Sequence, residues 1–121
     1  MKARIISTFD PVRRRNKYGN ERVEYNGMTF DSKKELSRYK DLELMQRAGL
    51  ITHLRRQVDY ELLPAEGPYK RPLVYRADFV YRTADVTVIE DVKSAATRKD
   101  KVYRIKKRLM YQLLNYEIVE V

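Results

Sequence analysis

The stretch "YRADFVYRTADVTVIEDVKS", residues 75–94, decides the fold and also contains the residues that most need an explanation. Aromatic and β-branched residues on both sides of a short polar turn predict two antiparallel strands, at 73–82 and 86–93. Acidic side chains interrupt both predicted strands, although an unpaired charge inside a sheet is costly. These acidic residues are Asp78, Glu90 and Asp91.

Upstream of this stretch, the sequence predicts a hairpin followed by a helix. Residues 2–9 favour a short strand, and "VEYNGMTF" at 23–30 predicts a hairpin because its central Asn-Gly pair tolerates positive φ. A helix is predicted for 32–49, where apolar residues recur at helical spacing and a glycine ends the segment. Ser32 and Glu35 form a capping-box pattern at its start.

Downstream elements complete a mixed order. Residues 51–63, which lie between the helix and the quoted stretch, alternate well enough for a strand. A second capping-box pattern at Thr97 to Asp100 predicts a helix that ends near residue 114, and "YEIVEV" at 116–121 predicts a last strand. The order is hairpin, helix, three strands, helix, strand. It predicts an α/β (α+β) domain with a mixed central sheet flanked by helices.

Composition limits the class of protein and its partners. The chain has 121 residues, a formal charge of +9 and no cysteine, which suits one domain with neither disulfides nor thiolate metal sites. The positive charge favours an anionic partner, nucleic acid before a membrane surface. Because no apolar stretch is long enough for a signal peptide or a membrane span, we expect a cytoplasmic protein. Residues 1–22 are expected to form a mobile basic arm before a domain at 23–121.

The acidic residues can be sorted by the face of the strand on which they lie. Side chains alternate along a strand, so Asp91 and Lys93 share one face and Glu90 points the opposite way. A bulge in that strand would instead turn Glu90 inward. Asp78, in the preceding strand, comes close to Asp91 or Lys93 in one available register, but the sequence does not fix the register.

Two further polar residues are candidates for the same site. Glu35 falls within the apolar arc of the first predicted helix, so its carboxylate should face the sheet. The same residue is also the reciprocal partner in the capping box, which is a purely structural role. Gln57, in the strand after that helix, either points into the site or lies on the plain surface of the sheet.

Carboxylates and a lysine in this arrangement suit the hydrolysis of a phosphodiester. Two or three carboxylates, from Asp78, Asp91 and Glu35, are a sufficient protein ligand set for Mg²⁺, and Mn²⁺ should substitute. A bound divalent cation lowers the pKa of the attacking water and offsets charge on the transition state. Lys93 would orient that water or help to deprotonate it. The alternative is a plain ion pair between Asp91 and Lys93 within one strand.

Substrate contacts are predicted from the cationic segments. On the C-terminal helix, a stripe with Lys99, Tyr103 and Lys106 runs beside an apolar seam, so this edge should overlook the active-site end of the sheet. Lys107 lies farther round the helix and either contacts phosphate or is simply solvated. The N-terminal arm would clamp DNA through counterion release. Its cationic residues include Arg13, Arg14, Arg15, Lys17 and Arg22.

These motifs resemble the PD-(D/E)xK nuclease superfamily, whose signature is an acid in one strand followed by (D/E)-x-K in the next. The matching residues are Asp78 in "YRADFVY" and Asp91 with Lys93 in "IEDVK", together with Glu35 in "FDSKKE". With "RRQVDYEL", "YRIKKRLM" and "YEIVEV", residues 17–121 are similar to a family of small phage-encoded endonucleases that resemble Holliday-junction resolvases.

The resemblance implies a restriction-endonuclease-like αβββαβ core that binds Mg²⁺ or Mn²⁺. Asp78 and Asp91 would be metal ligands, Lys93 the catalytic lysine, and Glu35 the acid that many members add from a helix. This chain departs from the pattern at Ala77, where the superfamily has proline, and in using aspartate rather than the more frequent glutamate at 91. The protein would act in the host-cell cytosol if it is phage-encoded.

Three classes of function follow. The first is a metal-dependent DNA endonuclease selective for branched DNA, which requires a homodimer to cut a four-way junction symmetrically. The second is a non-catalytic phage nucleic-acid-binding protein that retains the nuclease fold. The third is a structural or ribosome-associated basic protein, which would leave the inward carboxylates unexplained.

Overall fold

A computed structural model of the chain describes residues 4–5 and 21–121. The first of its two sheets has the order β1-β2-β3 and is antiparallel throughout. Its strands are β1 (Arg4–Ile5), β2 (Val23–Tyr25) and β3 (Met28–Phe30). The strand predicted at 2–9 is therefore confirmed at residues 4–5, and its other residues lie outside the described part. The same holds for Arg13, Arg14, Arg15 and Lys17.

The predicted hairpin and first helix are both confirmed. Asn26 and Gly27 connect β2 to β3 with φ of 51° and 76°, the left-handed conformation that an Asn-Gly turn favours. Helix α1 (Lys33–Arg47) begins after Ser32, whose Oγ accepts the backbone N–H of Glu35 at 3.1 Å. Gly49, with φ of 79°, follows the end of the helix.

The second sheet is mixed and has the order β4-β5-β6-β7. Its strands are β4 (Thr52–Leu63), β5 (Leu73–Thr83), β6 (Val86–Asp91) and β7 (Ile118–Glu120). The first three strands are antiparallel neighbours, whereas β7 runs parallel to β6. This sheet and its helices confirm the predicted order of elements and the α+β class.

The helices cover opposite faces of the second sheet. Phe79 packs in a cluster with Leu42 of α1, whereas Val80, the next residue of β5, packs in a cluster with Met110 of the C-terminal helix. Since neighbouring residues of a strand point to opposite faces, the sheet lies between the two helices. In the described part of the chain, neither long helix has the length and apolar character needed to cross a membrane.

The start of the C-terminal helix differs from the prediction. A short helix, α2 (Ala95–Arg98), is capped by Ser94, and the capping box is formed between Ser94 and Thr97. Helix α3 (Lys101–Leu114) begins separately after Asp100, whose side chain accepts the N–H of Tyr103 at 3.0 Å. The prediction of a capping box from Thr97 to Asp100 is wrong because each residue caps in a different helix.

The orientation of α3 also differs from what its apolar residues suggest. Tyr103 and Met110, seven residues apart and therefore on one face, are buried against the sheet. The apolar seam consists of Val102, Ile105, Leu109 and Leu113. It lies mostly on the solvent side of α3, and only Leu109 is partly buried against the core.

Candidate active site

The register between β5 and β6 brings two of the predicted carboxylates together. Phe79 pairs with Glu90, so the next position places Asp78 opposite Asp91. Asp78 Oδ2 accepts the backbone N–H of Val92 at 2.9 Å, which fixes its carboxylate at the end of β6. The two acids therefore form a pair where β6 ends beside the middle of β5, in the register that the sequence left open.

Asp91 is held by two partners. Lys93 Nζ lies 3.1 Å from Asp91 Oδ1, and the Tyr75 hydroxyl donates to Asp91 Oδ2 at 2.6 Å. The aspartate is only 3% exposed, so these contacts stabilise a charge that burial would otherwise disfavour. The predicted face shared by Asp91 and Lys93 is confirmed.

Gln57 connects the helix-borne acid to this pair. Its Nε2 donates to Glu35 Oε1 at 3.1 Å and to Asp78 Oδ1 at 3.4 Å. Gln57 lies inside β4, opposite Asp78, with φ of 51°. A left-handed residue other than glycine within a strand is strained, and such strain is concentrated at functional sites. Ser32 thus caps the backbone N–H of Glu35, whereas the Glu35 side chain belongs to the cluster, so only the Ser32 half of the predicted capping box is formed among the described residues.

Burial and neighbouring charge raise the pKa of two of these acids. Glu35 is 3% exposed, and desolvation, followed by the nearby charge of Asp31, raises its pKa from 4.5 to about 7. Desolvation, followed by the adjacent Asp91, raises the pKa of Asp78 well above its ordinary value. Burial and mutual repulsion therefore disfavour the charged forms of Glu35 and Asp78, and a bound cation would favour those charged forms.

The donor types fit a hard divalent cation. Asp78, Asp91 and Glu35 supply carboxylate oxygens, which Mg²⁺ and Mn²⁺ prefer. In the arrangement described for residues 21–121, however, no group of three or more His, Cys, Asp or Glu side chains could hold a metal ion as it stands. Gln57 Nε2 contacts both Glu35 and Asp78, and Lys93 contacts Asp91. In the described arrangement, these acids therefore have protein partners.

The raised pKa of Glu35 predicts how stability depends on pH. Between about pH 4.5 and 7 the folded state binds more protons at Glu35 than the unfolded state, so the free energy of unfolding falls as pH rises. In EDTA, Glu35→Gln should therefore gain stability over wild type across this window, by a few kcal/mol in total. Chemical denaturation at several pH values measures the difference. Exposed Glu61→Gln is the control, and a constant difference between Glu35→Gln and wild type would contradict the prediction.

A series of side-chain contacts connects Lys93 to Lys107 on α3. Lys93 Nζ lies 4.1 Å from the ring centroid of Tyr103, a cation–π contact that holds the amine on the α3 side of the site. The Tyr103 hydroxyl donates to Glu120 Oε2 at 2.7 Å, and Lys107 Nζ lies 3.4 Å from Glu120 Oε1. Tyr103 therefore contacts the site through Lys93. The sequence had placed it in a stripe with Lys99 and Lys106.

Glu90 lies on the other face of β6, so the alternative that it turns into the site is wrong. Arg38 of α1 binds it through two hydrogen bonds, from Nε to Oε1 at 2.8 Å and from Nη2 to Oε2 at 2.6 Å. The Tyr81 hydroxyl donates to the same carboxylate. The pairing of β5 with β6 runs without a register shift, so no bulge reverses the alternation.

Sequence reasoning missed Arg56 and Tyr75. The Arg56 guanidinium stacks 3.9 Å from the ring centroid of Phe30, and its Nη2 donates to the Thr29 carbonyl at 2.8 Å. Its Nη2 also lies 3.8 Å from Glu35 Oε1, and its positive charge partly offsets the rise in the pKa of Glu35. In the sequence, Arg56 stands out only as the neighbour of Gln57, and Tyr75 only by its position three residues before Asp78. Arginines and tyrosines are common at such positions, so the sequence does not identify these two as site residues.

The cations near the site line two grooves. Lys107 borders a groove of about 420 Å³ along β7, which also contains Tyr111 and Tyr116. We call this the basic groove after its cations, which are Arg98, Arg104, Lys107 and Arg108. Beside Lys93, a second groove of about 410 Å³ is bordered by Lys33 and Lys34. The prediction that Lys99 lies on the C-terminal helix beside Tyr103 and Lys106 is wrong, because Lys99 caps the end of α2, before α3 begins. Lys99 is exposed, and Lys106 is half-buried on α3.

Together, the elements define an α+β domain with a mixed four-stranded sheet, a helix on each face and an acidic cluster at the end of β6 and the middle of β5. Residues 15–120 match the family described as "Protein of unknown function (DUF1064)", so the chain belongs to that family. A search of curated proteins found no match. A search of solved structures found none either.

Proposed function

We propose that the protein is a metal-dependent DNA endonuclease of the PD-(D/E)xK type. One observation carries the proposal: Asp78 and Asp91 stand opposite each other, with Lys93 in contact with Asp91 and Glu35 joined to Asp78 through Gln57. Residues from α1, β5 and β6, and a lysine that follows β6, thus meet where β6 ends. The resemblance assigned a role to each of the four from sequence alone.

The order of elements supports a restriction-endonuclease-like core. Helix α1 is followed by β4, β5 and β6, and α3 then leads to β7, which corresponds to an αβββαβ order. The parallel pairing of β7 with β6 places this last strand beside the strand that carries Asp91. Fold alone does not define function, so the proposal depends on the acids and the lysine.

Each residue of the cluster has a role in phosphodiester hydrolysis. Asp78, Asp91 and Glu35 would hold Mg²⁺ or Mn²⁺, and the bound cation supplies Lewis-acid stabilisation and an activated water. The Tyr75 hydroxyl fixes the orientation of the Asp91 carboxylate. Lys93 Nζ, held between Asp91 and the Tyr103 ring, would orient the attacking water or help to deprotonate it, and its charge would offset negative charge that develops on the phosphate. Gln57 positions Glu35 and Asp78 through its amide.

The substrate would reach this cluster over cationic surfaces. Lys33 and Lys34 border the groove beside Lys93, and the Lys34 amine donates to the Lys93 carbonyl at 2.6 Å. The basic groove lies along β7, on the α3 side of the site. Cations on both sides of an acidic cluster suit a phosphate backbone that crosses it. The formal charge of +9 agrees with a polyanionic substrate.

Removing cations from the basic groove should weaken DNA binding without altering chemistry. The double variant Arg104→Ala/Arg108→Ala should bind DNA roughly tenfold more weakly, and the salt dependence should fall by about two phosphate contacts. Fluorescence anisotropy in EDTA over a series of salt concentrations measures both effects. Arg82→Ala, an exposed arginine next to the β5–β6 turn, is the control. Equal affinities for all three proteins would argue against this path.

A cleavage assay tests the proposed activity directly. Wild-type protein is incubated with linear, forked and four-way DNA in Mg²⁺, Mn²⁺ or EDTA, and the products are resolved on denaturing gels. We expect cleavage only with a divalent cation and fastest on branched DNA. Binding without cleavage of any substrate, in either metal, would overturn the proposal.

One observation favours a non-catalytic nucleic-acid-binding protein as the second candidate. The contacts of Gln57 and Lys93 leave the acids satisfied by protein groups rather than open toward a metal. Such a protein would bind DNA through the same cations. It would show no cleavage in the assay, and substitution of its acids would leave function unchanged.

A further inference from the structure

The seam on α3 is a continuous apolar surface that remains exposed in the part of the chain that the structure describes. Val102 is 61% exposed, Ile105 60% and Leu113 49%, while Leu109 is half-buried. These residues recur at intervals of three, four and four, which is the spacing of a helix that packs on another helix. A contiguous exposed apolar stripe marks an interaction surface, unlike isolated exposed apolar residues.

The seam is separate from the basic groove. At 100° per residue, the centre of the seam lies on the opposite flank of α3 from Arg104 and Tyr111, which border the groove along β7. A partner bound at the seam would therefore leave the proposed path of DNA open. Tyr103 and Met110 occupy the buried face between the two flanks.

The distribution of charge along α3 indicates which partner fits. Residues 101–108 carry five cations and no acid, whereas residues 109–116 carry no charge. A second α3 in antiparallel orientation would place the cationic half of each helix against the uncharged half of the other. A parallel pair would bring the cations together, and an acidic helix from another protein would find cations along only half of the seam.

We propose that the seam is a symmetric dimer interface at which α3 packs antiparallel to α3 of a second copy. Val102 then faces Leu113 of the second copy, and Ile105 faces Leu109 of the second copy. The arrangement is isologous, since the same residues serve both sides and each contact occurs twice. It assigns a surface to the dimer that symmetrical cutting of a four-way junction requires, but it does not depend on nuclease activity.

Sedimentation velocity on the full chain, without DNA or metal, tests the interface. We expect wild type to be dimeric at about 100 µM and Ile105→Glu to dissociate at least tenfold more readily, because a charge enters the interface from both copies. Leu44→Glu, which changes an equally exposed leucine on α1, should remain as dimeric as wild type. Monomeric wild type, or an Ile105→Glu protein as dimeric as wild type, would overturn the proposal.

Engineered cysteines test the antiparallel orientation, since the chain has no cysteine of its own. Val102→Cys/Leu113→Cys should form disulfide-linked dimers on mild oxidation, because residues 102 and 113 of different copies face each other. Val102→Cys alone should not, since the two copies of residue 102 would be about 16 Å apart along the helices. Cross-linking of the single variant, or none in the double variant, would refute the antiparallel arrangement. Failure of either test would remove this surface from the explanation of symmetric junction cutting, whereas metal-dependent cleavage itself is tested separately by the gel assay.

Discussion

Replacement of Asp91 by asparagine should reduce metal-dependent DNA cleavage by about 10³-fold or more. The amide still accepts the Tyr75 hydroxyl, but it removes the charge that would hold a divalent cation and pair with Lys93. Loss of several kcal/mol of transition-state stabilisation corresponds to a rate loss of this size. Asp78→Asn should have a similar effect. Single-turnover cleavage rates in Mg²⁺, measured on end-labelled DNA, check both variants.

The same variants should keep or increase their affinity for DNA, because they remove negative charge that faces phosphate. Asp59→Asn is the matched control, since Asp59 lies on β4 in an exposed ion pair with Arg76, away from the cluster. It should cleave as wild type does. If Asp91→Asn cleaves at the wild-type rate while remaining folded, the carboxylate pair is not the active site.

Replacement of Arg38 by methionine should lower the free energy of unfolding by about 3–5 kcal/mol. Glu90 is 1% exposed, and Arg38 is its cationic partner through two hydrogen bonds. Methionine retains much of the volume but leaves a buried carboxylate without compensating charge. The midpoint of thermal unfolding should fall by roughly 10–20 °C. Scanning calorimetry in EDTA measures the change without any contribution from bound metal.

An exposed ion pair provides the comparison for this effect. Arg76→Met breaks the pair with Asp59, in which the Arg76 and Asp59 side chains are 62% and 48% exposed, and should leave the free energy of unfolding nearly unchanged. The double variant Arg38→Met/Glu90→Gln should recover part of the loss, because the buried charge is removed with its partner. A shift for Arg38→Met as small as that for Arg76→Met would show that Glu90 does not depend on this partner.

Much of the fold followed from local sequence signals. The hairpin at Asn26–Gly27, the capping by Ser32 and the alternation that separates Asp91 from Glu90 all depend on neighbouring residues, and the structure confirms them. Local conformation and side-chain direction are set within a few residues, so a single sequence contains this information.

The remaining features depend on contacts between distant segments. Asp78 stands opposite Asp91 only because β5 and β6 pair in one register, and a slip of one residue would separate them. The buried face of α3 was not predictable from its apolar residues, because Tyr103 and Met110 pack against the sheet whereas Ile105 is exposed to solvent. Arg38 and its partner Glu90 are 52 residues apart in the sequence, so no local sequence pattern predicts their contact.

The parallel pairing of β6 with β7 has a consequence for synthesis on the ribosome. The backbone around Asp91 and Lys93 hydrogen-bonds to Val121, with the Lys93 N–H donating at 2.9 Å and the Val121 N–H donating to the Asp91 carbonyl at 3.0 Å. A nascent chain that has emerged only as far as α2 lacks these bonds, because the segment that makes them is translated later. The backbone on both sides of Asp91 therefore gains these hydrogen bonds only after β7 and Val121 have been translated.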